Sequence, residues 1–546
     1  MFKSPEEVNV VTPEMVQAAG TLIGIEFTAD EIELMIEGLN ANLESYQSLR
    51  QKPLPNGVAP AISFDPLLGG EIPAYQDRTS DVTWEDKPST RPDDLESLAF
   101  APISVLANLL RTRQVTSREL TSMYMERLKR FDPFLECVVT FTEDLAFEQA
   151  ARADQEIAAG NYRGPLHGIP WGAKDLLAVH GFPTTWGAVP YKEQVIDETA
   201  TVVERLTEAG AVLIAKLTTG AIAYGDIWFG GKTKNPWNLE VGASGSSAGP
   251  AAAVAGGVVG FAIGSETLGS IVSPSTRCGI SGLRPTFGRI SRHGVMALCW
   301  SMDKLGPMAR TVEDCALVFQ ATHGADPRDR HAISRPFSWP YGLDWKELTI
   351  GYVETAFEEE RDGKSYDDET LKVFEGLGAS LTPISLPDYP YSSMNLILAA
   401  ETAAAFDELT RSGQDDLMVW QDKEAWPNIW RRARLIPAVE FIQANRLRRQ
   451  AMLELAELFE QIDLFVCPSF GGESLRLTNF SGHPAVVLPN GLSEDGIPNN
   501  SITFTGQLFG EAPLVAVAQA YQEATGFHKT YPPMIYGSQS EAPPKE

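Results

Sequence analysis

The sequence predicts an α/β protein built on a large mixed β-sheet covered by helices on both faces, with a helical extension at its N-terminus. Thr201 to Gly210 reads as a helix closed by a glycine, and Ala211-Val212-Leu213-Ile214-Ala215 follows as an unbroken apolar strand, which makes one α/β unit. A strand apolar at every position needs cover on both faces, the mark of a parallel or mixed sheet rather than a half-exposed one. Of the 546 residues, 43% are hydrophobic and 21% charged, a balance that supplies a large core and is far from that of a disordered chain.

Thr12-Pro13-Glu14 is a helix start, and Phe27-Thr28-Ala29-Asp30-Glu31 opens a second helix in which Ile32, Met35, Leu39 and Leu43 recur at helical spacing. Residues 1–50 are therefore expected to form the helical extension. Pro, Gly, Asp and Ser then accumulate and periodicity disappears, so 51–94 reads as an extended connector lying over a larger domain. That domain is expected over 95–535. Ile103 to Leu110 is its first helix, and Thr116-Ser117-Arg118-Glu119 is a capping box opening the next, with Leu120, Met123 and Leu128 on one stripe. The polar residues 536–546 read as a flexible tail.

Composition excludes several functions. With 44 Lys+Arg against 72 Asp+Glu the net charge is −28, which rules out binding nucleic acid through phosphate neutralisation. The best membrane candidate, Ala251 to Ile263, is too short and too rich in Ala and Gly to span a bilayer. The opening residues Met1 to Glu7 lack the pattern of a secretory signal. Five scattered cysteines (Cys137, Cys278, Cys299, Cys315, Cys467) without C-x-x-C suggest neither a disulfide framework nor a zinc site. A cytoplasmic protein with reduced thiols is expected.

The unusual local sequence runs from Val241 to Pro285. Two Gly/Ser turns bracket a stretch of small apolar residues, which a flexible linker would not contain, and the lysine of a phosphate loop is absent. Gly245-Ser246-Ser247-Ala248-Gly249 satisfies G-x-S-x-G and would make Ser247 a nucleophile served by His483 or His528, but Asn235 to Glu240 is a poor strand to precede such an elbow. Ser301-Met302-Asp303-Lys304 matches S-x-x-K, but Gly306-Pro307 stops the helix that pairing needs.

Further segments follow in order: Gly168-Ile169-Pro170-Trp171-Gly172-Ala173-Lys174-Asp175, Asn235-Pro236-Trp237-Asn238, Ser244 to Gly249, Gly269-Ser270-Ile271, Cys278 to Thr286, and Gly306 to Thr311. With them, the chain from about Leu95 to Pro533 resembles the amidase signature family of serine amidohydrolases. The resemblance implies that family's fold and a covalent acyl-enzyme mechanism without metal or cofactor. It places the catalytic lysine on Lys174, a bridging serine on Ser246 and the nucleophile on Ser270. It also implies a cis peptide bond from Gly245 to Ser246 and an oxyanion hole from the backbone N–H groups of Thr267, Leu268, Gly269 and Ser270. A lysine acting as base must be neutral, so the site must exclude water.

The chain departs from the family around the nucleophile. Leu268 stands where a glycine is usual, and Val272 where an arginine could pair with the acidic residue, here Glu266. Both put the oxyanion loop in doubt.

The expected substrate is a small amide with an apolar or aromatic portion. Trp171 and Trp228, with Ser247, are the substrate-binding candidates, among aromatics that include Trp186, Phe229, Trp237 and Trp300. Leu381 to Leu464, with Trp420, Trp426 and Trp430, is expected to build substrate-facing helices. Partners are limited to that small molecule and at most a second copy in a homodimer, with no nucleic acid and no membrane. Three alternatives stand beside the amidase. The N-terminal segment loosely resembles the small belt subunit of a tRNA-dependent amidotransferase, whose glutamine-hydrolysing subunit shares this fold. Carbamate or ester cleavage uses the same acyl chemistry. A binding protein that has lost its chemistry is the third.

Overall fold

Helices α1 (Pro13–Ile23) and α2 (Ala29–Arg50) come first in the computed structural model, which describes residues 11–52, 54–67, 87–340, 342 and 344–533. The expected tail at 536–546, residues 1–10 of the expected extension and residues 53 and 68–86 of the expected connector lie outside the described residues. Thr12 caps α1 and Thr28 closes a capping box with Glu31 on α2, which satisfies amide donors that a helix start leaves open.

Three strands begin the main sheet: β1 (Val138–Phe141), β2 (Pro170–Lys174) and β3 (Val212–Leu217). Two small ribbons follow, β4 (Ile227–Trp228) with β5 (Gly231–Lys232), and β6 (Lys234–Asn235) with β7 (Asn238–Gly242). The stretch at Asn235 to Glu240, poor in strand residues, thus forms part of a small two-stranded ribbon outside the main sheet rather than one of its strands. The chain re-enters the main sheet through β8 (Phe261–Glu266), β9 (Ser281–Arg284) and β10 (Lys304–Ala309). It finishes with β11 (Ile350–Val353), β12 (Leu381–Ile384), β13 (Leu464–Pro468), β14 (Ala485–Leu492) and β15 (Pro498–Gly506).

The 11-stranded sheet has the order β1-β3-β2-β8-β10-β9-β14-β15-β13-β11-β12. Pairing is parallel where β2 meets β3 and β8 and where β11 meets β12 and β13, and antiparallel at the other junctions, so the sheet is mixed. Every position of β2, β3, β9, β10 and β13 is buried, which requires helices on both faces.

The helices expected at Ile103, Ser117 and Thr201 form, and others accompany them. They are α3 (Ile103–Arg111), α4 (Ser117–Leu135), α5 (Glu143–Ala158), α6 (Thr201–Glu208), α7 (Ala248–Ala255) and α8 (Val272–Cys278). Thr116 and Glu119 form the capping box of α4. All eight residues of α7 are buried, and their small side chains let the helix lie close to β2 and β8. No helix among the described residues is long and apolar enough to cross a membrane.

Residues 54–67 of the connector lie on the body of the protein. Asn56 donates to the Ala297 carbonyl at 2.8 Å and accepts from the Ala297 amide at 2.7 Å. Phe64 packs edge-on against Phe287 at 5.0 Å and lies under the Arg448 guanidinium at 3.7 Å.

Candidate active site

Lys174 is the last residue of β2, and Ser265 the penultimate residue of β8, the parallel neighbour of β2. Parallel pairing brings both C-terminal ends to one edge of the sheet. The turn between β7 and α7 delivers Ser246 and Ser247 to the same place. Gly264 makes this approach feasible, since a Cβ there would stand 2.9 Å from Ser247 Oγ and 2.5 Å from Met308 Sδ. The peptide bond from Gly245 to Ser246 is cis.

Lys174 is 0% exposed. Its Nζ lies 2.8 Å from Ser246 Oγ, 3.0 Å from Ser247 Oγ and 2.9 Å from Ser265 Oγ, with no carboxylate in ion-pair reach among the described residues. Burial holds its amine well below the usual lysine range, outweighing the more distant charges of Asp303 and Glu266. Lys216 on β3 is equally buried, but it stands 2.8 Å from Asp175 in an ion pair.

Counting hydrogens restricts what this cage does. Ser247 Oγ donates to the Ser265 carbonyl and accepts from the Ser265 amide, each at 3.1 Å. Its single proton is thereby committed, so toward Lys174 it acts as an acceptor. A neutral amine has two hydrogens and one lone pair. The lone pair can face Ser246 only when Ser265 Oγ takes the second hydrogen. Nothing in the sequence marks Ser265 for this role, since a serine on a buried strand looks the same whether or not it meets a lysine.

Ser270 is partly exposed at the start of the turn into α8, and its hydroxyl has no hydrogen-bond partner among the described residues. The backbone N–H groups of Thr267, Leu268, Gly269 and Ser270 likewise find no acceptor among the described residues, whereas the next two amides, of Ile271 and Val272, donate to Glu266 Oε2 at 2.8 and 2.9 Å. The loop is thus a run of open donors tied down at its end.

Two expectations about this loop need correcting. Glu266 does not lack a cation for want of arginine at 272, because Arg284 from β9 stands in, with Nη1 2.6 Å from Glu266 Oε1. Asn479 Nδ2 donates to the same oxygen at 2.8 Å. Burial alone would raise the Glu266 pKa, but Arg284 and the amide donors more than offset it and hold the carboxyl at about 2. Leu268, for its part, is not in the left-handed region. The positive φ falls on Gly269, at 90°, and Leu268 packs beside a cluster containing Tyr391 and Met394.

A cavity of about 950 Å³ adjoins this centre and reaches it at Ser265 and Thr267. Leu176, Trp186, Tyr191, Met296, Leu298 and Trp300 supply apolar wall, and Asp303 accepts from Thr267 Oγ1 at 2.6 Å. The helical region expected to face the substrate contributes Ala405, Phe406 and Glu408, while Trp426 and Trp430 pack behind Trp186 and Phe406.

Several candidates fall elsewhere. Trp171 is in the core, stacked on Phe261 at 5.8 Å, and Trp228 packs on Phe229 at 4.9 Å away from the cavity. Ser247 belongs to the lysine cage rather than to a substrate wall. Among the described residues no histidine bonds to it as an elbow nucleophile requires: His483 bonds to Ser481 and stacks on Phe459, and His528 lies in the short turn Phe527–Lys529. Ser301 is held by Glu401 and Arg448, and Lys304 opens β10 and donates to the Met302 carbonyl, so the two form no dyad.

The Amidase family profile matches residues 119–488. A glutamyl-tRNA(Gln) amidotransferase subunit of Methylococcus capsulatus is 34% identical over 479 residues, which span 79% of this chain and 98% of the relative. The crystal structure of the native peptide amidase of Stenotrophomonas maltophilia superposes with a TM-score of 0.71 at 27% identity, covering 81% of this chain and 99% of that one. A bacterial aryl acylamidase of the amidase signature family shares the fold at a TM-score of 0.69 and 23% identity, over 81% and 99% of the two chains.

Proposed function

Because the chain belongs to the amidase family, whose members are carbon–nitrogen hydrolases, we propose that it cleaves a non-peptide amide bond of a small, apolar or aromatic substrate through an acyl-enzyme on Ser270. The observation that carries the proposal is the 2.8 Å approach of Ser246 Oγ to a buried, unpaired Lys174. A serine hydroxyl is a weak nucleophile until a base takes its proton, and a desolvated lysine is such a base at neutral pH.

In the proposed cycle Ser270 Oγ attacks the amide carbonyl and gives its proton to Ser246, which passes its own to Lys174. The carbonyl oxygen becomes an oxyanion held by the amides of Thr267 to Ser270; one such donor is typically worth about 3–4 kcal/mol in the transition state. Lys174 then returns the proton through Ser246 to the leaving nitrogen, the C–N bond breaks, and water hydrolyses the Ser270 ester by the same relay. The apolar wall around Trp186 and Trp300 favours a bulky acyl or amine group. The same chemistry extends to carbamates and esters.

The amidotransferase relatives favour a second reading, a glutamine-hydrolysing subunit. It requires release of ammonia from glutamine that depends on a further protein of the complex. The size and apolar wall of the cavity support the first reading.

Peptide mapping after fluorophosphonate treatment tests the proposal. Label is expected on Ser270, falling sharply in Lys174→Ala and Ser246→Ala. Label on Ser247, or none, would sink it.

A further inference from the structure

The segment Leu54–Ala61 precedes the residues matched by the family profile, yet Leu54, Pro55, Asn56, Gly57, Pro60 and Ala61 line the cavity beside the lysine cage. It has no regular secondary structure and all of it but Asn56 is exposed, so burial of its own side chains does not hold it in place. Side-chain anchors do. The Asn56 amide pairs with both backbone groups of Ala297 and also donates to the Ala405 carbonyl at 3.5 Å, joining two different walls of the cavity. Arg330 donates to the carbonyls of Pro60 and Ala61 at 3.0 and 3.3 Å. Just beyond, Phe64 sits under Arg448, whose guanidinium also donates to Ser301 Oγ and to the Ser301 carbonyl, two residues before Asp303.

We propose that this strap is a specificity element: it forms one wall of the substrate cavity, held by Asn56, and it limits and binds the end of the substrate remote from the scissile bond. The inference rests on the amidase reading. A short amide bound at Thr267 and Ser265 does not need the strap, whereas a long one meets Leu54 and Pro55. Asn56 is a positioning residue, acting through the backbone it fixes. Leu54 is 76% exposed, so a larger side chain there leaves the fold intact while altering the wall.

Binding rather than turnover is the test, made on full-length protein carrying Ser270→Ala so that the ligand survives. Isothermal titration calorimetry with acetanilide, hexananilide and decananilide compares that protein with the same protein carrying Asn56→Ala or Leu54→Trp. Expected are Kd values for acetanilide within about twofold, and for the two longer anilides at least a tenfold change in each variant, roughly 1.4 kcal/mol. A change equal at all lengths, or none, would overturn the strap's role while leaving the amidase reading standing. Should Asn56→Ala fail to fold, Leu54→Trp alone gives the same discrimination. If the parent binds no anilide of any length, the strap's role is overturned, while the amidase reading is judged separately by the labelling of Ser270.

Discussion

Arg284 Nη1 lies 2.6 Å from Glu266 Oε1, with both side chains buried, and this pair ties β9 to the end of β8 directly under the loop that carries Ser270. Removing one partner of a buried ion pair strands the other charge, at a typical cost of about 3–5 kcal/mol. Arg284→Met is therefore expected to lower unfolding stability by that order in urea titrations at pH 7, and to reduce activity by loosening the amides of Ile271 and Val272. The folded Glu266 pKa, about 2, is depressed from its ordinary value of 4.5, so its contribution is complete above that ordinary value and is lost as pH falls through 2. The gap between parent and variant should close over the same window.

Lys174 gives the opposite sign. Its pKa is lowered on folding, so the unfolded chain binds a proton that the folded one rejects, and stability at this position rises with pH until the unfolded lysine titrates near about 10.4. Lys174→Met should thus be more stable than the parent at pH 7, by a margin that shrinks toward that pH. It should also lose about 10²–10⁴-fold in kcat. For the parent, kcat/KM should climb with pH to a plateau reached below the ordinary lysine range. Equal stability of the two proteins at pH 7 would mean that the buried lysine is not held neutral.

Ser265→Ala removes the acceptor for the second lysine hydrogen without touching Ser246 or Ser270. The orphaned hydrogen bond is worth about 1–3 kcal/mol in a buried site. A fall in kcat of about tenfold or more, with KM unchanged and partial recovery in Ser265→Thr, is expected from steady-state kinetics.

Gly269→Ala and Leu268→Ala separate the two positions of the proposed oxyanion loop. A side chain at the left-handed φ of Gly269 costs about 1–2 kcal/mol, and relief of that strain would turn the amides away. Activity should fall at Gly269→Ala far more than at Leu268→Ala, where lost packing against the Tyr391 cluster should lower Tm instead.

Local signals were readable where one segment contains its own cause. The capping box of Thr116 and Glu119 and the helix, glycine and strand from Thr201 to Ala215 need no distant partner, and they formed as expected. Motif order likewise brought Lys174 and Ser246 together across 72 positions. What escaped is made by contacts between distant parts of the chain. Asn56 meets Ala297 across 241 residues, and neither has an unusual neighbourhood in sequence. Trp171 looked like a pocket residue because an aromatic side chain announces its size and not its direction. It sits on a strand buried at every position, where Phe261 occupies it. Arg284 illustrates the same limit, since a missing cation at 272 is made good from another strand.

The three hydroxyls around Lys174 have one more implication. A base flanked by carboxylates carries its counter-ion at rest, but here only hydroxyl oxygens touch the amine. In the proposed cycle charge separation begins when the reaction does: the ammonium and the oxyanion appear together, the oxyanion facing the amides of Thr267 to Ser270 and the ammonium meeting no carboxylate within ion-pair reach among the described residues. Both vanish when the proton returns. The burial of Lys174, rather than an ion pair, is then what sets the readiness of its amine to accept that proton.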